Sequence, residues 1–228
     1  MGHKQNVVLY CDSCPGQNKN RAMLAMLQTF LQESKNIKTL KIVFFLPGHT
    51  YMLVDAVHAT LERFTKKRIV WAPSEWDTII ANARTHPRPF EVIRLYHTDF
   101  GNWKRYGDEC LPAKTRTMDG QIFQISRLRQ AMFEKGKLSF QVNYFYNCLE
   151  TNLEIQFASR RSQTDVVSIP VYRSMLSISA LKLKDLRELC QKNVIPKKFH
   201  TEYYDLRSKA SVRDSLPETD VEDSSETE

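Results

Sequence analysis

"VVLYCDSCPGQNKNR", residues 7–21, begins with apolar residues and runs directly into a polar loop that holds Asp12, two cysteines and a Pro-Gly pair. The β-branched and aromatic residues before the loop predict a short buried strand over residues 6–11. A helix is predicted from about residue 19 to residue 33, because the apolar residues after the loop recur on one helical stripe. This stretch therefore predicts a strand that hands over to a helix.

The same pattern follows a second time. The segment "LKIVFFLPG", residues 40–48, predicts another buried strand that a Pro-Gly pair ends. The helix predicted after it carries a core stripe of Val54, Val57, Leu61 and Phe64. Strand, helix, strand and helix with short polar joints are typical of a parallel α/β unit with right-handed crossovers.

A third repeat is weaker, and the pattern then changes. We predict a strand over residues 68–73, a helix from Ser74 whose Asp77 resembles part of a capping box, and a strand over residues 90–97. After about residue 108, short and partly alternating strands predict an antiparallel layer, and two amphipathic helices follow.

These patterns predict an α/β fold in three parts. Residues 1–108 form an α/β core of strand-helix units, residues 109–209 form an α+β extension, and residues 210–228 form a disordered acidic tail. The tail is rich in serine and acidic residues, and from Asp214 onward it holds no lysine or arginine.

The charge of the chain favours a polyanionic partner. Residues 1–213 hold 33 basic and 19 acidic residues, a net charge of +14. Such a field suits nucleic acid first, and an acidic protein or anionic membrane surface second. No apolar run reaches the roughly 18 residues of a membrane span, and we expect no signal peptide. The five cysteines are scattered, as reduced thiols of a nuclear or cytoplasmic protein are.

Three interpretations compete for the loop after the first strand. Cys11 and Cys14 have the spacing of a redox pair, and zinc or plain packing would also use thiols. Asp12 ends a predicted parallel strand, where α/β sheets gather reactive side chains. The alternative for Asp12 is an Asx-type turn, in which its carboxylate accepts loop amides.

A second acidic group is predicted on the helix after the second strand. Asp55, His58 and Glu62 share one polar stripe there. Asp12 and Asp55 could hold Mg²⁺ with water ligands across the top of the sheet, which is the arrangement for phosphodiester cleavage. The alternative is that Asp55 and His58 lie on a solvated helix face.

Nucleic acid contacts are predicted where the first helix begins. Amides in this position can cap a helix or hold a phosphate or a base edge, and cationic side chains contact phosphate. The predicted nucleic-acid-binding residues are Gln17, Asn18, Lys19, Asn20, Arg21 and His49.

Five segments together resemble a known family. They are "DSCPGQNKN" (residues 12–20), "PGHTYMLVDAVHATLE" (47–62), "WAPSEWDTIIANAR" (71–84), "FEVIRLYHTDFGNW" (90–103) and "LRELCQKNVIPKKFHTEYYDL" (186–206). They resemble an uncharacterised family of transposon-derived animal proteins, common in insects, whose core is similar to the RNase H-like fold of DDE transposases. The resemblance covers about residues 5–208. It implies that Asp12 occupies the second acidic position and that Asp55, or Glu62 in its place, occupies the third.

The chain departs from that family where the first acid should lie. An RNase H-like core carries its first aspartate on a strand that precedes Asp12, and only about five residues stand before the predicted strand here. We therefore expect the C-terminal part of a transposase-like protein with an incomplete acidic site. The strand at Val7–Tyr10 is expected to present an exposed sheet edge to a protein partner or a second copy.

The sequence thus favours a transposase-derived protein that binds nucleic acid, DNA before RNA, without catalysis of its own. The first alternative is a Mg²⁺-dependent nuclease or integrase-type enzyme that a partner chain or longer isoform completes. The second alternative is a protein-interaction module that keeps only the fold, and a thioredoxin-like oxidoreductase ranks behind all three.

Overall fold

A computed structural model describes residues 4–46, 52–146, 152–158 and 170–212. In this part of the chain the strands are β1 (Asn6–Cys11), β2 (Thr39–Phe44), β3 (Gln130–Glu134), β4 (Ser139–Asn143) and β5 (Leu153–Gln156). The α-helices are α1 (Arg21–Glu33), α2 (Leu53–Thr65), α3 (Glu75–Asn82), α4 (Trp103–Cys110), α5 (Ala180–Gln191) and α6 (His200–Tyr204).

The chain divides into two compact units, and each is built from two stretches of sequence. Unit 1 comprises Met1–Met52 and Tyr96–Arg173, and unit 2 comprises Leu53–Leu95 and Ser174–Glu228. The chain passes from one unit to the other after Met52, Leu95 and Arg173, and none of these points coincides with the predicted boundary at residue 108. The predicted acidic tail falls almost wholly on residues 213–228, which lie outside the described residues.

Unit 1 is organised around one five-stranded sheet with the order β1-β2-β3-β4-β5. β1 and β2 are parallel, with Asn6 opposite Thr39 and Cys11 opposite Phe44. The pairs β2–β3, β3–β4 and β4–β5 are antiparallel. The prediction of a mixed α/β fold is confirmed. The strands after residue 108 join the same sheet as the first two strands, whereas the sequence placed them in a separate extension.

The core of unit 1 lies between one face of this sheet and α1. Leu24 and Leu31 of α1 are fully buried, as are Phe44 of β2 and Phe133 of β3. α4 packs against α1 and adds Tyr106 and Cys110 to the same core. The other face carries the alternate residues of each strand, and these are mostly half-buried and polar, as in β4.

The loop before α1 ends in a helix cap. Asn20 Oδ1 accepts a hydrogen bond from the Met23 amide at 2.9 Å, which satisfies one of the free N–H groups of the first turn. Asn20 Nδ2 donates to the carbonyls of Pro15 and Gln17, at 3.1 Å each. The prediction that a loop amide caps this helix is confirmed. α1 begins at Arg21, two residues after the predicted start, because Asn20 has extended backbone angles.

β1 differs from its prediction in burial. The strand forms, but Val8 is 47% exposed and Tyr10 is 61% exposed. The reason is its place in the sheet: within the described residues β1 pairs with β2 alone, so its outer edge and one face meet solvent. The apolar pattern was correct for a strand, and the inference that the strand is buried was wrong.

Unit 2 differs more from its prediction. Residues 68–73 and 90–96 are not strands, because neither segment has a strand beside it to accept its backbone hydrogen bonds in the described structure. α2 has no buried residue, and Val54 of the predicted core stripe is 44% exposed. Asp77 forms an ion pair with Arg94 and no capping box.

The core of unit 2 is small. Ala72, Cys190, Ile195 and Phe199 are buried together, and Trp71 and Tyr203 pack against them. The Tyr203 hydroxyl donates to the Trp71 carbonyl. The Ser74 hydroxyl donates to Glu202, which ties the start of α3 to α6. Across the described ranges, no helix has the length and apolar character needed to cross a membrane.

Gly107 tests the packing of α4 on α1. A Cβ atom at Gly107 would lie 2.7 Å from backbone atoms of Arg21 and Ala22, so the two helices approach too closely for alanine. We expect Gly107→Ala to lower the free energy of unfolding by about 1–3 kcal/mol, because overpacking outweighs the gain of about 1 kcal/mol in helix propensity. Urea denaturation measures the change.

Gly16→Ala is the matched control, because a Cβ atom at Gly16 would meet no atom within 4 Å. It should leave the unfolding midpoint nearly unchanged. Equal stability of the Gly107→Ala chain and the Gly16→Ala chain would show that α1 and α4 do not approach as described.

Candidate nucleic-acid interface

The topology of unit 1 brings five strand ends to one edge of the sheet. β1, β2 and β4 end there and β3 and β5 begin there, since β1 and β2 are parallel and the later strands alternate in direction. We call this the carboxyl edge. In sheets with parallel strand-helix units, ligand sites gather outside the carboxyl ends of the strands. The loop that contains Asp12 and Lys19 lies at this edge.

Asp12 is held by its own loop. Its Oδ1 accepts a hydrogen bond of 2.5 Å from the Asn18 side-chain amide and a longer one of 3.4 Å from the Cys14 amide. These are the contacts of the Asx-type turn that the sequence offered as the alternative. The Asn18 amide is consequently engaged within the loop. The catalytic assignment of Asp12 stays a prediction.

The other predicted acidic residues belong to unit 2. Asp55 is half-buried in the first turn of α2, and Glu62 is exposed further along that helix. Over residues 4–46, 52–146, 152–158 and 170–212, no three His, Cys, Asp or Glu side chains form a group that could hold a metal ion. Mg²⁺ binding by Asp12 and Asp55 therefore stays a prediction.

The predicted nucleic-acid-binding residues differ in exposure and in the hydrogen bonds and ion pairs that they already form. Gln17 is exposed. Asn20 is occupied by the helix cap, and Arg21 forms an ion pair of 3.6 Å with Asp108. His49 lies outside the described residues. Lys19 also belongs to the predicted set, and unlike most lysines it is buried.

Lys19 is buried, with 5% of its surface exposed. Its Nζ lies 5.8 Å from the centroid of the Phe44 ring, and it makes no hydrogen bond or ion pair within the described residues. Burial lowers the pKa of the Lys19 ammonium, and the nearby Arg129 guanidinium lowers it further, while Cys11 acts in the opposite direction. The chain thus holds two cations close together without an anion between them.

Two arginines at this edge lie against tyrosine rings, and the sequence reasoning did not select them. The Arg127 guanidinium is 5.1 Å from the centroid of the Tyr144 ring, and that of Arg129 is 5.7 Å from the Tyr146 ring. The Tyr146 hydroxyl donates to the Phe44 carbonyl at 2.6 Å, which fixes the ring beside β2. The available signal was the basic run "RLR", residues 127–129, and the aromatic run "NYFY", residues 143–146, which lie within two of the stretches predicted as short strands.

Aromatic side chains at the carboxyl edge are open to solvent. Tyr10 stacks on Phe45 with ring centroids 5.6 Å apart and 14° between the ring planes. Tyr10 is 61% exposed, Phe145 49% and Tyr146 41%. Exposed rings interleaved with cations are the features with which proteins stack bases and contact phosphates of single strands.

Cys11 has the properties of a packing thiol. Its Sγ donates to the Val43 carbonyl at 3.8 Å. Burial, aided by the Asp12 charge, raises the pKa of the Cys11 thiol to about 11, although Lys19 lowers it in part. A redox pair needs a thiolate and therefore a lowered pKa, so the direction of this shift disfavours the redox interpretation.

A comparison with protein families gave one match. The family model described as Domain of unknown function (DUF7869) matches residues 3–131, which include β1, α1, β2, Lys19 and both arginines of the carboxyl edge. No curated protein and no solved structure matches the chain.

The raised pKa of Cys11 predicts a slow and strongly pH-dependent alkylation. In Cys14→Ser chains, iodoacetamide should modify Cys11 about 100-fold more slowly at pH 8 than an ordinary thiol, because the thiolate fraction is smaller by that factor. The rate should rise tenfold per pH unit and level off near the pKa of about 11. Peptide mass spectrometry of the folded chain gives the rate, and Cys11→Ser chains report Cys14 for comparison. A plateau below pH 9 would contradict the burial of Cys11.

Proposed function

Because the chain belongs to the family described as Domain of unknown function (DUF7869), whose description assigns no activity, we propose a function from the site itself. The chain binds nucleic acid through the carboxyl edge of unit 1 and does not catalyse a reaction on it. The proposal concerns the side chains of that edge, and it does not depend on the acidic residues.

The main support for the proposal is that two arginines without ion pairs in the described residues lie beside aromatic rings at the carboxyl edge. Arg127 and Arg129 form no ion pair within the described residues, so each guanidinium can accept a phosphate. The Tyr144 and Tyr146 rings orient these guanidinium groups. Phe145, between the two tyrosines, is half exposed and bonds only through its backbone. The exposed part of its ring is therefore available to stack on a base.

The charge of the chain supports the same ligand. The net charge of +14 over residues 1–213 raises the local concentration of a polyanion and speeds its association. Affinity that comes from phosphate contacts must fall as salt rises, because bound counterions are released when the protein binds. Salt dependence is therefore a necessary property of the proposed complex.

Single-stranded nucleic acid suits the carboxyl edge better than a duplex does. A duplex hides the faces of its bases, whereas a single strand exposes them to rings such as Tyr10 and Phe145. We place DNA before RNA because the resemblance in the sequence is to DNA transposases, and that ancestry is part of the proposal. The nuclease and the interaction module stay predictions that no described contact favours.

Phe145→Ala tests base stacking. We expect it to weaken binding of a labelled single-stranded oligonucleotide by about 1–3 kcal/mol, or roughly 5- to 150-fold, because one stacked base is lost. Fluorescence anisotropy measures the dissociation constant. Phe30→Ala is the matched control: Phe30 is also 49% exposed, but it lies near the end of α1, at the opposite edge of the sheet. An equal loss in both variants would contradict stacking at Phe145.

Arg127→Ala tests the phosphate contacts. It should weaken binding of oligonucleotides of any sequence to a similar degree and reduce the slope of log affinity against log salt by about 0.7. Lys38→Ala removes the same charge beside the start of β2, at the opposite edge, and should leave the slope within error. Wild-type binding that is independent of salt between 50 and 200 mM, on the order of the range over which such complexes weaken, would overturn the proposed function.

A further inference from the structure

Lys19 is a buried cation that lacks a counterion. It is 5% exposed, and within the described residues its ammonium has the Phe44 ring at 5.8 Å but no hydrogen bond and no ion pair. Lysine is almost never so buried unless it is paired, because the charged group loses its hydration. A cation–π contact offsets only part of that loss. Lys19 therefore lies where an anion would be strongly stabilised.

Arg129 makes the position more positive. Its guanidinium is close enough to disfavour the charge on Lys19, and it too lacks an ion pair within the described residues. The nearest acidic group of the loop, Asp12, is directed to the Asn18 amide and the Cys14 amide. The Cys11 thiol beside Lys19 is neutral at physiological pH. Lys19 lies at the Phe44 ring, Arg129 lies at the Tyr146 ring whose hydroxyl is hydrogen-bonded to Phe44, and no described carboxylate pairs with either cation.

The start of α1 adds to this field. Lys19 directly precedes the N-cap residue Asn20, and α1 extends over 13 residues. The N-terminus of a helix carries a partial positive charge. Lys19, Arg129 and the helix start consequently favour an anion of more than one charge at the carboxyl edge.

We propose that Lys19 and Arg129 bind the terminal phosphate of a nucleic acid strand, so that the chain recognises a phosphorylated end. This inference rests on the proposed function. A terminal phosphate carries about 1.5 to 2 negative charges at pH 7, whereas an internal phosphodiester carries about one. An internal phosphodiester also has a sugar on each side, so a side chain that is only 5% exposed is reached more readily by the end of a strand than by a strand that runs past it.

The test compares three oligonucleotides of one sequence, with a 5′-phosphate, with a 3′-phosphate and with hydroxyl groups at both ends. Each competes with an internally labelled strand for the full chain, and inorganic phosphate and a mononucleotide are added as separate competitors. We expect one phosphorylated strand to bind at least about tenfold more tightly than the hydroxyl-ended strand, since each charge-assisted contact to the extra phosphate charge adds about a factor of ten.

Lys19→Met removes the buried charge and keeps the shape of the side chain. It should abolish the preference, so that the phosphorylated and the hydroxyl-ended strands bind the variant with equal affinity. Arg129→Gln should reduce the preference as well. If circular dichroism shows that the Lys19→Met chain does not fold, Arg129→Gln replaces it as the test variant. Lys38→Met is the matched control for loss of one charge, and it should retain the preference.

The outcomes separate the two proposals. Equal affinity for all three strands would overturn recognition of a terminal phosphate and leave the proposed function in place. Preference that survives in both Lys19→Met and Arg129→Gln would overturn the assignment to these two side chains. If no strand binds, both proposals fail. If inorganic phosphate or the mononucleotide competes as well as the phosphorylated strand does, recognition of a strand end is overturned and Lys19 and Arg129 are assigned to a free phosphomonoester.

Discussion

The hydrogen bonding of β2 on both sides is the constraint on which unit 1 depends. β2 lies between a parallel neighbour, β1, and an antiparallel neighbour, β3. Its residues Leu40, Ile42 and Phe44 are buried under α1. This arrangement fixes the direction of every other strand in the sheet. The Lys19 loop, the arginines before β3 and the tyrosines after β4 share the carboxyl edge for this reason, although they are far apart in sequence.

The sequence predicted best what local periodicity controls. The strand, capped helix and strand over residues 6–44 were foreseen, because alternation, a helical stripe and an amide before the helix are each properties of a few neighbouring residues. The predicted strands at residues 68–73 and 90–97 failed for the complementary reason. A strand exists only beside a partner that accepts its backbone hydrogen bonds, and composition does not show whether that partner is present.

The candidate site was predicted in part. Charge and position identified the loop and included Lys19, but neither property distinguishes a buried lysine from a solvated one. Asp12 was predicted to be catalytic because it ends a strand. Its place in the chain did not show that the Asn18 side-chain amide would donate a hydrogen bond to its carboxylate. Arg129 and Tyr146 were missed because they meet only through the register of β3 and β4. Register depends on the whole sheet.

The distribution of ion pairs in unit 1 argues that the Lys19 position is adapted to a ligand and not to stability. The described pairs Arg21–Asp108, Arg105–Glu109 and Lys137–Glu134 lie at the surface, where an ion pair contributes about 0–1 kcal/mol. Lys19 lies where a missing partner is most costly, and no ion pair to it is found within the described residues. Folding alone would favour an apolar residue there. Buried charges that lack a partner in the protein concentrate at functional sites, because an external ligand supplies the missing partner. The same burial that destabilises the free chain thereby increases the difference in free energy between the empty and the anion-bound protein.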